Sequence, residues 1–135
     1  MTRNNSFMAV IFRRGFLILV SFLVVYLSHQ PSLKPPLELF PHQDKLFHMI
    51  EFGGLGLALV LNRDIFGTER PRTFMLVSGA IWAVLDELHQ SFVPGRDSSL
   101  QDVAADAAGL VIAVLIFFRL FQNRTPHTDS RKTQG

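Results

Sequence analysis

The chain contains no cysteine, which excludes disulfides, thiolate-bound zinc, iron–sulfur clusters and a cysteine nucleophile together. It is also poor in charge: 18% of its 135 residues are charged against 48% hydrophobic, a balance foreign to a disordered or collagenous chain and too apolar for an ordinary water-soluble domain. A Gly-x-Ser-x-Gly elbow and a phosphate-binding glycine loop are both missing, so neither a serine hydrolase nor a nucleotide enzyme is expected. The net charge of +2 does not indicate nucleic acid, because the basic residues stand between long apolar runs rather than on a polar face interleaved with stacking aromatics. The pattern points to a lipid bilayer as the chain's principal partner.

Four apolar stretches are present, at about residues 8–28, 44–62, 73–93 and 100–121. A hydrocarbon core of about 30 Å takes about 20 helical residues at 1.5 Å rise each, and these stretches have about that length. The first is short unless Phe7 to Phe12 join it with Arg13 and Arg14 snorkelling. It has the basic front of a signal peptide, but Tyr26-Leu27-Ser28-His29-Gln30 is a poor small-residue cleavage site, so an uncleaved first helix is predicted. Prolines at 31, 35, 36, 41, 71, 94 and 126 fall between or beyond the runs, where helices end. The expected fold is all-α, a polytopic membrane protein built as a four-transmembrane-helix bundle over residues 1–122. The polar stretch 123–135 reads as a disordered cytoplasmic tail. Gly53, Gly54 and Gly56, and Ala105 with Gly109 and Ala113, are small residues suited to close helix contact. The oligomeric state is not legible.

Orientation follows from lysine and arginine. One side of such a bundle carries Arg3, Arg13, Arg14, Arg63, Arg70, Arg72, Arg119, Arg124, Arg131 and Lys132, which is ten, and the other carries Lys34, Lys45 and Arg96, which is three. Both termini are therefore expected in the cytoplasm, in a multi-pass protein of the bacterial inner membrane.

Ionisable groups inside an apolar span cost a few kcal/mol each, so their positions are informative. The second span opens with Asp44, Lys45, His48 and Glu51. The third closes with Asp86, Glu87, His89 and Gln90, the following loop holds Arg96 and Asp97, and the fourth opens with Asp102 and Asp106. From the helical rise, His48, His89 and Asp102 lie roughly 5 to 8 Å below the outer surface and Glu51, Asp86 and Asp106 roughly 10 to 12 Å below it. Spacings of three, four and seven place Asp44, His48 and Glu51 on one helical stripe, Asp86, His89 and Gln90 on a second, and Asp102 with Asp106 on a third, and three such stripes predict a shared outward-facing cavity. Seven acids (Asp44, Glu51, Asp86, Glu87, Asp97, Asp102 and Asp106) face Lys45, Arg96 and two histidines there. In a low dielectric, some carboxyls then hold protons, or the histidines do, or a cation or cationic ligand group is present. The inner halves, such as Leu57 to Leu61 and Ile112 to Phe118, are dry, which argues against a complete ion pathway. Individual pairs such as His48 with Glu51, or Asp86 with His89, could instead simply pin helices together, and Asp97, Ser98 or Ser99 could cap the fourth helix.

These residues resemble the VanZ-like family of small bacterial membrane proteins, named for an accessory protein of teicoplanin resistance. The resemblance covers about residues 26–118 and rests on Asp44-Lys45-Leu46-Phe47-His48, on Phe52 and Leu55-Gly56, on the run Asp86-Glu87-Leu88-His89-Gln90-Ser91-Phe92-Val93-Pro94-Gly95-Arg96, and on Asp102-Val103 with Gly109. The family usually has asparagine where this chain has Asp106, which adds an acid. The resemblance implies an integral membrane protein of the cell envelope, linked in some members to lower susceptibility to a lipid-tailed glycopeptide.

Two functional readings follow. In the first, the cavity binds or modifies a lipid-linked or envelope compound: His48 and His89 handle protons, Asp86 and Glu87 orient them, and Arg96 holds an anionic part of the ligand. Asp44, Lys45, Glu51, Gln90, Asp102 and Asp106 complete the binding surface. In the second, a metal-dependent membrane enzyme uses His48, Glu51, Asp86 and His89 as ligands, although neither His48-x-x-Glu51 nor Asp86-x-x-His89 is a zinc motif. A non-catalytic partner or transporter component is a third class. No cofactor is assigned.

Overall fold

The structure, a computed structural model, describes residues 2–31, 40–67, 69–96 and 98–122. Lys34, Asp97 and the expected tail over 123–135 lie outside the described residues. Four α-helices follow one another: α1 (Thr2–His29), α2 (Gln43–Leu61), α3 (Pro71–Gln90) and α4 (Leu100–Gln122), with a single 3-10 turn at Arg63–Phe66 between α2 and α3. The described residues contain no strand, as the all-α reading expects.

Local chemistry sets the helix ends. Phe7 to Phe12 do join the first apolar run, giving a continuous helix of 28 residues. Asn62 closes α2: its backbone N–H donates to the carbonyls of Ala58 and Leu59, and its side-chain amide donates to Ala58 O at 2.8 Å and to Arg13 O at 2.9 Å. Pro71 opens α3, where its missing N–H costs nothing. Helix α3 stops at Gln90, three residues before the expected end at Val93. Val93 precedes Pro94, whose ring disfavours helical backbone in the residue before it, and Gly95 turns the chain at φ 81°. At the start of α4, Ser99 Oγ accepts from Asp102 N at 3.2 Å and donates to Asp102 Oδ2 at 2.6 Å, so Ser99 is the capping residue.

Contacts at the two ends of the bundle fix the helix directions. Arg13 and Arg14 of α1 meet the C-terminal end of α2: Arg13 Nη1 donates to Leu61 O at 3.1 Å, while Arg14 binds the Asn62 side chain and donates to Asp64 Oδ2 at 2.5 Å. Both arginines are therefore turned onto the protein. Arg72 lies over the Phe118 ring, 5.1 Å from its centroid, at this same end. At the opposite end Ser28 of α1 reaches Asp86 of α3, and Lys45 of α2 reaches Asp102 of α4. Helices α1 and α3 run one way, α2 and α4 the other.

The core is built from Val24, Phe52, Leu55, Leu59, Val60, Met75, Ala83, Leu110, Val114 and Phe118. Helices α2 and α4 pack most extensively, and small residues make that possible. A Cβ on Gly109 would run into the Met49 carbonyl, and one on Gly56 would come within 2.9 Å of Ala113 Cβ. Burial is one-sided. Phe74, Val77, Ile81, Val84, Leu85 and Leu88 form an exposed apolar stripe along α3, and α1 and α4 show similar faces. Among the described residues, two helices have the length and apolar composition to cross a membrane, over Ser6–His29 and Leu100–Phe121.

Two predictions follow from this packing. Gly109→Ala should destabilise the detergent-solubilised protein by about 1–3 kcal/mol, the usual result of overpacking. Gly53→Ala should be tolerated, since its Cβ would find no neighbour closer than 3.8 Å; thermal melting compares the two. At the other end, the Arg14 hydrogen bond holds the Asp64 carboxyl below its usual value of 3.8. A depressed carboxylate stabilises the fold above its unfolded-state pKa, and that contribution is lost as pH falls through the folded value. Because Asp64 is 47% exposed, the contribution is roughly 0.2–1 kcal/mol. Asp64→Asn should thus melt slightly below wild type at pH 7, and the gap should close as pH falls below 3.8.

Candidate functional site

The polar residues that open α2, close α3 and open α4 gather at the end of the bundle away from Arg14 and form two networks. The first joins α2, α3 and α4. Lys45 Nζ pairs with Asp44 at 2.8 Å and with Asp102, and lies 3.5 Å from Ser99 Oγ. His48 Nδ1 lies 2.9 Å from Asp106 Oδ1, and its other ring nitrogen lies 4.0 Å from Asp102. Ser99 N–H donates to Glu87 Oε1 at 2.6 Å. Asp106 has no exposed surface, and Glu87 and Asp102 are buried.

The second network joins α1, α3 and the loop after α3. Ser28 Oγ donates to Asp86 Oδ1 at 2.5 Å, Gln90 Nε2 donates to Asp86 Oδ2 at 2.7 Å, and Arg96 Nη2 donates to Gln90 Oε1 at 2.6 Å. Asp86 is therefore satisfied on both oxygens by neutral donors, and Arg96 is held above it through Gln90.

This arrangement departs from the sequence expectation in specific ways. Asp86 does not orient a histidine, since its partners are Ser28 and Gln90. His89 is exposed and pairs with His29 of α1, Nε2 to Nδ1 at 3.2 Å with the rings stacked. The reason is angular. At about 100° per residue, Gln90 and Glu87 lie about 40° and about 100° from Asp86 on one side, facing the bundle, whereas His89 lies about 60° away on the other side. His48 spans the two depth layers, bonding Asp106 of the deeper one and lying 4.0 Å from Asp102 of its own. The four-ligand set of His48, Glu51, Asp86 and His89 is accordingly not assembled. Among the described residues, the ligand-type side chains whose donor atoms come within 4.8 Å of one another are His48, Glu87 and Asp106.

Sequence reasoning missed α1. Ser28, 2% exposed, and His29 stand at the end of a run otherwise read as a membrane anchor, and a Ser-His pair closing an apolar helix is the signal that could have found them. It missed a groove as well. A cavity of about 500 Å³ lies between α1 and α2, walled by Val20, Leu23, Val24, Leu27, Phe47, Ile50 and Gly54, with Asp44, His48, Glu51 and Arg96 among its polar lining. Glu51 Oε1 is enclosed there without a hydrogen-bond partner.

No curated protein and no solved structure matches the chain. The sequence profile of the VanZ/LLP1 family matches residues 7–122, which takes in all but the first turn of the helical bundle, and the chain belongs to that family.

Proposed function

We propose that the chain is a four-span protein of the bacterial cytoplasmic membrane, and that the groove between α1 and α2 receives the hydrocarbon chain of a lipid-linked or envelope compound. The head group of that compound meets Arg96, His48, Glu51 and Asp44. Both termini lie on the cytoplasmic side, and the polar end opens outward.

The groove is the observation that carries this reading. Its walls are hydrocarbon, and ionisable side chains are confined to residues of one end of the bundle, which is the pattern of an amphiphile site. Arg96 donates to a neutral amide rather than a carboxylate, so its charge is available to a phosphate or carboxylate. Glu51 offers an enclosed acceptor to a hydroxyl or amine. The exposed apolar stripe on α3 supports membrane contact for that helix too, since a water-soluble surface does not carry so continuous a patch. An effect on glycopeptide susceptibility would be a consequence of holding such a compound.

A dodecyl phosphate bearing a photoreactive group at the end of its chain should label α1 and α2 of the purified protein. Gly54→Leu, which fills the groove, should remove most of the labelling. Arg96→Gln should weaken binding roughly tenfold, the value of one charge-assisted hydrogen bond. Labelling that persists in Gly54→Leu would place the ligand elsewhere. The topology has its own test, made clean by the absence of native cysteine. A single cysteine at the exposed position of Phe92 should react with an impermeant maleimide in intact spheroplasts, and one at Ile65 should react only after lysis.

A further inference from the structure

We infer that His48, Glu87 and Asp106 form a binding site for one divalent metal ion of the zinc or manganese class. Each of α2, α3 and α4 contributes one side chain, and the donor atoms already lie within 4.8 Å of one another. Two independent observations indicate that something beyond the chain completes this cluster.

The first is unmet hydrogen-bonding capacity. Each carboxylate is anchored through one oxygen, Glu87 Oε1 by Ser99 N–H and Asp106 Oδ1 by His48. The second oxygen of each, Glu87 Oε2 and Asp106 Oδ2, is enclosed and has no partner, although the two residues are 7% and 0% exposed. A buried acceptor left unsatisfied costs about 1–3 kcal/mol, and a charged one more. Two such oxygens from different helices in one small cluster are not explained by helix pinning, for which the anchored oxygens suffice.

The second is charge. Lys45 is taken up by Asp44 and Asp102, which leaves the Glu87 and Asp106 carboxylates with His48 as their only basic neighbour in the cluster. Even a charged His48 would balance one of the two. A divalent cation balances both and satisfies the orphan oxygens at the same time. One imidazole and two carboxylates without a thiolate suit Zn²⁺ or Mn²⁺. Three protein donors also leave coordination positions open, the pattern of reactive rather than purely structural sites. His48 lines the groove as well, so the ion would border its polar end. The inference does not depend on a ligand in the groove.

The test uses the full chain in detergent, stripped with a chelator and dialysed against Zn²⁺ or Mn²⁺ alone. Wild type and Asp64→Asn, altered at the opposite end of the bundle, should each retain one ion per chain. Glu87→Gln and Asp106→Asn, which preserve shape, should lower affinity by at least the roughly tenfold to hundredfold typical for loss of an outer-shell partner. Metal should raise the melting temperature of wild type and leave those of the two variants unchanged. Pulsed electron paramagnetic resonance of Mn²⁺-loaded wild type should show coupling to one imidazole nitrogen, a readout that stands even if the variants fold poorly. Binding below one equivalent in wild type, equal binding in Glu87→Gln and Asp106→Asn, or a Mn²⁺ signal without nitrogen coupling would each overturn the inference. A failed groove-labelling experiment would leave it intact.

Discussion

Everything at the polar end of this bundle depends on how carboxylates are kept inside an apolar protein. Removing a charged group from water costs several kcal/mol unless partners replace the lost hydration. Here those partners come from different helices: Lys45 on α2 for Asp102 on α4, His48 on α2 for Asp106 on α4, and Ser28 on α1 with Gln90 for Asp86 on α3. Apart from Gln90, which lies on α3 with Asp86, each partner belongs to an element far away in sequence, so the polar end specifies which helix lies beside which. The apolar half of the bundle is less discriminating, because leucine, valine and phenylalanine side chains pack acceptably against many neighbours.

The close approach of α2 and α4 is the second determinant. Gly109, about one turn past Asp106, sits against the Met49 carbonyl, and Gly56, about two turns past His48, sits against Ala113. Backbones this close bring short side chains within bonding range, which is why an aspartate at position 106 reaches an imidazole at position 48. The glycines thus contribute to the site without touching it, and their spacing in the sequence has a chemical consequence as well as a packing one.

Much of this was legible beforehand. Proline positions and apolar run lengths located seven of the eight helix ends to within about three residues, because both act locally; the exception is the start of α1, expected near residue 8 and found at Thr2. The confinement of Asp44, His48, Glu51, Asp86, Glu87, Asp102 and Asp106 to one end was equally visible, since it depends only on counting along each run. What sequence could not supply was rotation. Polar residues spread over about 160° of a helix can be divided between two neighbours, and α3 does this, sending Asp86, Glu87 and Gln90 inward and His89 out to His29. The contribution of α1 was hidden for a related reason. Its Val20, Leu23 and Leu27 look alike whether they meet lipid or line a groove, and hydropathy does not distinguish the two.

The way α1 is held has a mechanical consequence. Arg13 and Arg14, near the middle of α1, fasten it to the end of α2 and the α2–α3 connection, and Ser28 fastens its C-terminal end to Asp86, while Val24 is the one buried residue between them. A rod held at two points and loosely seated between them bends most easily midway between the two. Since that stretch also walls the cavity through Val20, Leu23, Val24 and Leu27, slight bowing would widen the opening between α1 and α2 while both fastenings stayed closed.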